Sequence, residues 1–256
     1  MVVHQQRQFS PRERTHLARY SPDLLPRTAS TAPVEYLTGA AEFCDLVFLV
    51  NHTVLIPRIE TEELVLRVAN NLQQRLAHTT DAVRVLEVGT GSGAISIALA
   101  HRLRQMWHRV QFVAVDISQA VLAVAQQNAA VIFEQAAPIK FVASDLLENI
   151  SPREPFAVVV ANLPYIPSHR LPTLDESVRD HEPWLALDGG LDGFAIIRRL
   201  LDNIAQVLEP EAEVFLETDH THTQEKFAPY SKLGWQIELF TDQAGRNRFA
   251  HLSPPV

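Results

Sequence analysis

The sequence predicts an α/β fold: a mostly parallel seven-stranded sheet, covered by helices on both faces, with an antiparallel last strand and a β-hairpin in front. Three observations predict it. Five apolar runs, VRVLEVG (83–89), VQFVAVD (110–116), IKFVAS (139–144), FAVVVAN (156–162) and AEVFLE (212–217), lack the alternation of half-exposed strands and suit a sheet buried on both faces. Helical segments separate most of them, so the connections are right-handed crossovers. The chain closes on WQIELF (235–240) and NRFAHLS (247–253), joined only by TDQAGR, which is too short for a crossover helix and suits a hairpin.

The first thirty or so residues are polar and aperiodic, apart from a short helix near RERTHLARY (12–20), and have little core of their own. Two β-rich runs follow, around 41–50 and 53–56, and read as a hairpin that feeds a helix starting near Thr61. Past residue 80 the alternation begins, with helices in AISIALAHRLRQ (94–105), in SQAVLAVAQQNAA (118–130) capped by Ser118, and in DGFAIIRRLLDNIAQVLEP (192–210). A parallel sheet whose seventh strand doubles back is the pattern of Rossmann-like methyltransferases more than of nicotinamide dehydrogenases.

Composition narrows the function. At 256 residues the chain fits one sizeable domain with a small appendage. No apolar stretch reaches the ~20 residues of a membrane helix, and the N-terminus lacks the apolar region of a secretory signal. A single cysteine, Cys44, excludes an internal disulfide and a multi-cysteine zinc site. These features predict a cytoplasmic protein with no membrane partner. A formal charge of −8 disfavours a protein that grips long nucleic-acid backbone, so no stable nucleic-acid partner is expected.

LEVGTGSGA places Gly89, Gly91 and Gly93 between a strand and a helix, with Thr90 and Ser92 among them. Such a loop lets the backbone approach a ligand, and its amides favour a polar group. With Ala94 it also fits the dinucleotide fingerprint, so the loop suits NAD as well as a methionine-derived cofactor, S-adenosylmethionine. Asp116 ends the second strand, where a carboxylate can accept hydrogen bonds from ribose hydroxyls of either cofactor. After the third strand, Asp145 is placed to take an adenine amino group and Leu146 to cover its face, although Ser-Asp there is also a common turn. Glu87 favours the methionine-derived cofactor, because a carboxylate suits a sulfonium or ammonium group and opposes pyrophosphate.

ANLPYIP (161–167) follows a buried strand at the sheet end where ligands bind in this architecture. Asn and Pro are common in turns, yet here they stand beside a glycine loop and its acid. An amide or aromatic amine nitrogen is a weak nucleophile. If the Asn162 side-chain oxygen and the Leu163 carbonyl each accept one N–H of a substrate NH2 group, they aim its lone pair and stabilise its growing charge. Pro164 confines Leu163 to an extended backbone, and Tyr165 is expected to pack on the planar group.

With these motifs the chain resembles the HemK/PrmC-type protein-(glutamine-N(5)) methyltransferases, from about residue 36 to residue 251. The resemblance is carried by EYLTGAAEF, VNHTVLIPRIETEELV, EVGTGSGAISIALA, AVDIS, SDLL, NLPYIP, EPWLALDGGLDGFAIIRRLL and DQAGRNR. It implies S-adenosyl-L-methionine as cofactor, held by Glu87, Gly89, Thr90, Gly91, Ser92, Gly93, Asp116, Asp145, Leu146 and Asn162. It implies peptide chain release factors, proteins of translation termination, as substrate, methylated on the glutamine of their Gly-Gly-Gln motif, with the amide held by Asn162, Leu163, Pro164 and Tyr165. It also implies a division into a short N-terminal extension (1–35), the remnant of a helical substrate-recognition domain; a hairpin with its linking helix (36–80); and the methyltransferase domain (81–256). Leu163 stands where the family usually has proline, as does Ile59.

Two rivals are an adenine-amino (N(6)) nucleic-acid methyltransferase, whose substrate NH2 suits the same clamp, and a non-catalytic cofactor-binding subunit. No metal is expected: His220 and His222 beside Asp219 read as hydrophilic loop residues. Cys44 reads as packed, Arg246 and Arg248 as turn and surface charges, and Arg198 and Arg199 as a solvated helix face.

Overall fold

The structure is a computed structural model that describes residues 7–24, 30–133 and 138–255. Its first helix, α1 (Pro11–Tyr20), opens on a capping box in which the Ser10 hydroxyl accepts from the Glu13 amide and Glu13 accepts from the Ser10 amide. Leu17 on α1 packs with Phe9 and with Val34 at the start of α2 (Val34–Thr38), a small cluster beside the main core.

Strands β1 (Ala40–Phe43) and β2 (Leu46–Leu49) form an antiparallel pair. The expected hairpin therefore lies entirely within its first run. Cys44 and Asp45 both take left-handed backbone angles and close a two-residue turn, the geometry that matches strand twist. The second run, 53–56, is not a strand among the described residues. Asn51 Oδ1 accepts from the Thr53 amide and hydroxyl, which bends the chain, and Val54 and Ile56 bury against Ala41 and Val50.

Helix α3 (Ile59–His78) buries Thr61, Leu64, Val65, Val68, Ala69, Leu72 and Leu76, one stripe at helical spacing. Thr61 is the polar member at its start, so the helix points a hydroxyl inward. Beyond it come β3 (Val83–Val88), α4 (Ala94–Arg102), β4 (Val110–Asp116), α5 (Gln119–Ile132), β5 (Ile139–Ala143), β6 (Phe156–Ala161), α6 (Glu176–Arg179) and α7 (Ala195–Leu201). The chain ends with β7 (Leu208–Glu217), α8 (Gln224–Lys232), β8 (Gln236–Thr241) and β9 (Asn247–Ser253). The helix expected over 192–210 is shorter. It tightens into a 3-10 turn at Ile204–Val207, and β7 begins at Leu208, paired with Phe156.

The seven strands lie in the order β5-β4-β3-β6-β7-β9-β8, with β9 antiparallel to both its neighbours and the other pairs parallel. Each face carries its own core: Val83 and Val85 of β3 point into a cluster with α3 and α4, Leu86 and Val88 into one with α7 and α8. By this period Glu87 falls on the α3 side at the strand's end. Buried Asn128 of α5 joins the hairpin to the loop between β3 and α4. Its amide accepts from the Leu49 amide at 2.6 Å and donates to the carbonyls of Leu49 and Ser92 at 3.0 and 2.9 Å.

Candidate active site

A cavity of about 520 Å³ opens at the carboxyl ends of the parallel strands, within the ~300–1,000 Å³ range of small-molecule sites. The turn after β3 forms one wall. The amides of Gly89 and Thr90 both donate to the Val115 carbonyl at 2.9 Å, which fastens this loop to β4. Gly89 has φ +77°, which favours glycine, and a Cβ there would stand 2.9 Å from Leu163 Cδ2, so a side chain would also press the leucine aside. Gly93, also left-handed, caps α4, where a Cβ would meet Ile97 at 2.8 Å and Ala125 at 3.2 Å.

Glu87 lines the cavity, yet its side chain is buried at 1% exposure. Its Oε2 accepts from the Thr90 hydroxyl at 2.7 Å and the Ser96 amide at 3.2 Å, while Oε1 is buried with no hydrogen-bond partner among the described residues. Burial pushes the carboxyl up to about 7, against the hydrogen bonds of Ser96 and Thr90. An orphaned acceptor of this kind on a cavity wall fits a cationic or hydrogen-bonding ligand. Asp116 accepts from the Gly91 amide at 3.1 Å and the Ser118 amide at 3.0 Å, leaving lone pairs for ligand hydroxyls; burial raises its pKa. Asp145 and Leu146 line the far side. Leu146 is held at φ 50°, and Asp145 pairs with Arg199 at 2.9 Å.

Asn162, Leu163 and Pro164 also line the cavity, beside the glycine loop. The Leu163 side chain is buried in the α7 core, so leucine here fills space between the glycine loop and the sheet. Asn162 Nδ2 donates to Thr61 Oγ1 at 3.1 Å, and that hydroxyl donates to Glu217 Oε2 at 2.6 Å. Tyr165 follows in the same loop; its hydroxyl donates to Glu217 Oε1 at 3.1 Å and accepts from Arg248 at 3.5 Å. Burial, then the Glu217 charge, raises the Tyr165 pKa.

Of the residues expected to hold a cofactor, Glu87, Gly89, Thr90, Gly91, Ser92, Asp116, Asp145, Leu146 and Asn162 meet around one cavity, with Gly93 behind it in the helix cap. Thr61, Arg58 and Glu217 went unnoticed in the sequence as parts of this region. Arg58 lines the cavity and pairs with buried Glu182 at 2.6 Å. Two surface readings need correcting. His222 is fully buried, its ring edge-on to Phe194 and its pKa lowered to about 4 by burial. Arg248 reaches inward to Tyr165 and also pairs with Asp242. No His, Cys, Asp and Glu cluster able to hold a metal occurs among the described residues.

Residues 85–181 match a methyltransferase domain family. The ribosomal protein L11 methylase of Lactobacillus delbrueckii subsp. bulgaricus is similar in fold, with a TM-score of 0.54 at 19% identity over 80% of this chain and 82% of that one. Sheet order, glycine loop and these likenesses define a Rossmann-like methyltransferase fold. Over 227 residues the chain is 34% identical to the release factor glutamine methyltransferase of Deinococcus radiodurans, covering 89% of this chain and 76% of that one. Over 226 residues it is 38% identical to that of Moorella thermoacetica, covering 88% and 76%. The chain belongs to the release factor glutamine methyltransferase family.

Proposed function

We propose that the protein transfers a methyl group from S-adenosyl-L-methionine to the side-chain amide nitrogen of the glutamine in the Gly-Gly-Gln motif of peptide chain release factors. The observation that supports this best is the position of Asn162, its amide at the wall of a cavity shared with the glycine loop, Glu87 and Asp116. When bound, the cofactor supplies an electrophilic methyl group on a sulfonium. The chain's own residues do the rest. Asp116 accepts from hydroxyls, and the open Oε1 of Glu87 accepts from a cationic group. Asn162 Oδ1 and the Leu163 carbonyl each take one N–H of the substrate amide, which pins the nitrogen and opposes delocalisation of its lone pair as positive charge grows. Pro164 keeps the Leu163 carbonyl pointed forward. The buried C-terminal ends of β3, β4 and β6 keep bulk water from competing for these acceptors. Release factors as partners follow from the same reading.

The protein is tested with methyl-labelled cofactor and, in separate reactions, release factor, a release factor with that Gln changed to Ala, and DNA or RNA. Label enters only the unaltered release factor. Label that survives the Gln→Ala change, or enters nucleic acid, would replace this substrate assignment. Asn162→Ala lowers kcat by about 100- to 1,000-fold, the scale for loss of one charge-stabilising contact, while cofactor binding weakens far less and stays measurable. Unchanged turnover would remove Asn162 from the clamp.

A further inference from the structure

A side-chain amide has two nearly identical corners, and only one of them can accept the substrate's N–H. If Asn162 turned its own NH2 to the cavity, two donors would face each other. What decides the orientation lies outside the Asn-Leu-Pro-Tyr loop, on α3 and β7. Glu217 ends β7 at 1% exposure and accepts at both oxygens, from Thr61 at 2.6 Å and Tyr165 at 3.1 Å. Burial raises the Glu217 pKa, opposed by these two hydrogen bonds and by the charge of Arg248; in its ionised form the carboxylate accepts from both hydroxyls and has no proton to return to either. The single Thr61 proton is therefore committed to Glu217, and the Thr61 oxygen can only accept from its other neighbour, Asn162, 3.1 Å away.

We propose that Thr61 and Glu217 are positioning residues for the acceptor clamp: Glu217 takes the Thr61 proton, Thr61 takes the N–H of Asn162, and Asn162 Oδ1 is left as the accepting corner at the cavity. Oδ1 itself accepts no hydrogen bond among the described residues, so it is free for a substrate N–H. The same carboxylate holds Tyr165, three residues further along the loop. Glu217 thus grips the clamp at both ends, through Thr61 at Asn162 and directly at Tyr165. Thr61 and Glu217 are 156 residues apart, and α3 has to lie across the ends of β6 and β7 for the chain to close. This inference rests on Asn162 acting as the clamp for the substrate nitrogen.

The test compares Thr61→Val, Thr61→Ser and Glu217→Ala with the wild type in turnover of release factor and in the side-chain amide signals of Asn162 by 15N NMR. Thr61→Val removes the hydroxyl with little change of shape; Thr61→Ser keeps it. Thr61→Val and Glu217→Ala lower kcat by about 10- to 100-fold, the scale for a group that orients a functional side chain, with cofactor Kd within about threefold. Thr61→Ser recovers most of the rate. The two losses do not add in the double variant, because Glu217 acts through Thr61. In the NMR spectrum one Asn162 NH2 proton exchanges slowly in the wild type and in Thr61→Ser, and quickly in the other two. A Thr61→Ser variant as slow as Thr61→Val, additive losses, or an unchanged Asn162 signal in Glu217→Ala would each overturn the relay. Wild-type protein that labels no release factor would instead overturn the substrate reading, and the NMR comparison would still decide the orientation of Asn162.

Discussion

Glu87 and Glu217 are the same residue type in matching places, buried at the carboxyl ends of β3 and β7. Their surroundings differ. The partners of Glu87, Thr90 and Ser96, lie within nine residues along the chain and satisfy one oxygen, leaving the other open beside the cavity. The partners of Glu217, Thr61 and Tyr165, lie 156 and 52 residues away and satisfy both oxygens. A buried acid with an open oxygen is incomplete without a ligand. One that is closed on both sides holds other side chains in place. On the function proposed above, the cofactor half of the site is thus built locally around an open acid, and the acceptor half is assembled at long range around a closed one.

The sharpest way to break this contrast is to titrate the open acid. The Glu87 carboxyl sits at about 7 in the folded protein against 4.5 ordinarily, a shift caused by burial. Between pH 4.5 and 7 the unfolded chain gives up this proton while the folded one keeps it. Folding therefore loses stability as pH rises through that window, and the loss is complete above about 7. At 1.4 kcal/mol per unit the contribution is about 3 kcal/mol. Glu87→Gln mimics the neutral acid and removes the dependence. The difference in urea-derived stability between variant and wild type grows in the variant's favour by about 3 kcal/mol from pH 4.5 to 8, without cofactor. Parallel curves would mean that Glu87 is no longer the costly open acid.

A smaller effect tests the seam between the halves. Gly89→Ala places a methyl 2.9 Å from Leu163 Cδ2 at a φ of +77°, so it combines a clash with a left-handed backbone. Together these destabilise the fold by about 2 kcal/mol. In a Leu163→Ala background the clash disappears while the backbone cost of about 1 kcal/mol stays. A double-mutant cycle of denaturation midpoints separates the two. Equal costs in both backgrounds would show that Leu163 does not press on the glycine loop.

The same local and long-range division explains what the sequence could reveal. Apolar runs and the short closing hairpin lead to the right sheet, including the antiparallel β9, because strand periodicity and loop length are local properties. Glu87, Asp116 and Asn162 are visible because each ends a strand and stands next to its own loop. Glu217 also ends an apolar run, in AEVFLE, and that was the one available signal for it. Thr61 carried no such mark: its importance comes from a helix that turns it toward a strand 156 residues away. The buried His222 and inward Arg248 escaped for the same reason, since hydrophilic residues in a polar stretch give no sign of what will pack over them.

The smallest expected effect lies at the Asp145 rim of the cavity, where the open half meets solvent. Asp145 is expected at an amino group, and in the structure one of its oxygens is held by Arg199 at 2.9 Å, with Arg199 51% and Asp145 31% exposed. An exposed pair of this kind contributes about 0.5 kcal/mol or less, since water screens the attraction and ordering two side chains costs entropy. Arg199→Ala therefore leaves the denaturation midpoint almost unchanged. Its effect on cofactor affinity separates two arrangements. If Asp145 meets the ligand on its own, freeing it from Arg199 leaves Kd within about threefold, a difference under 1 kcal/mol. If Arg199 must first set the carboxylate at an angle, Kd weakens by about tenfold or more while stability stays level, and the rim then resembles the closed architecture around Glu217. Isothermal titration with the cofactor, run beside Asp145→Ala, decides between them, and the locally built half predicts the first outcome.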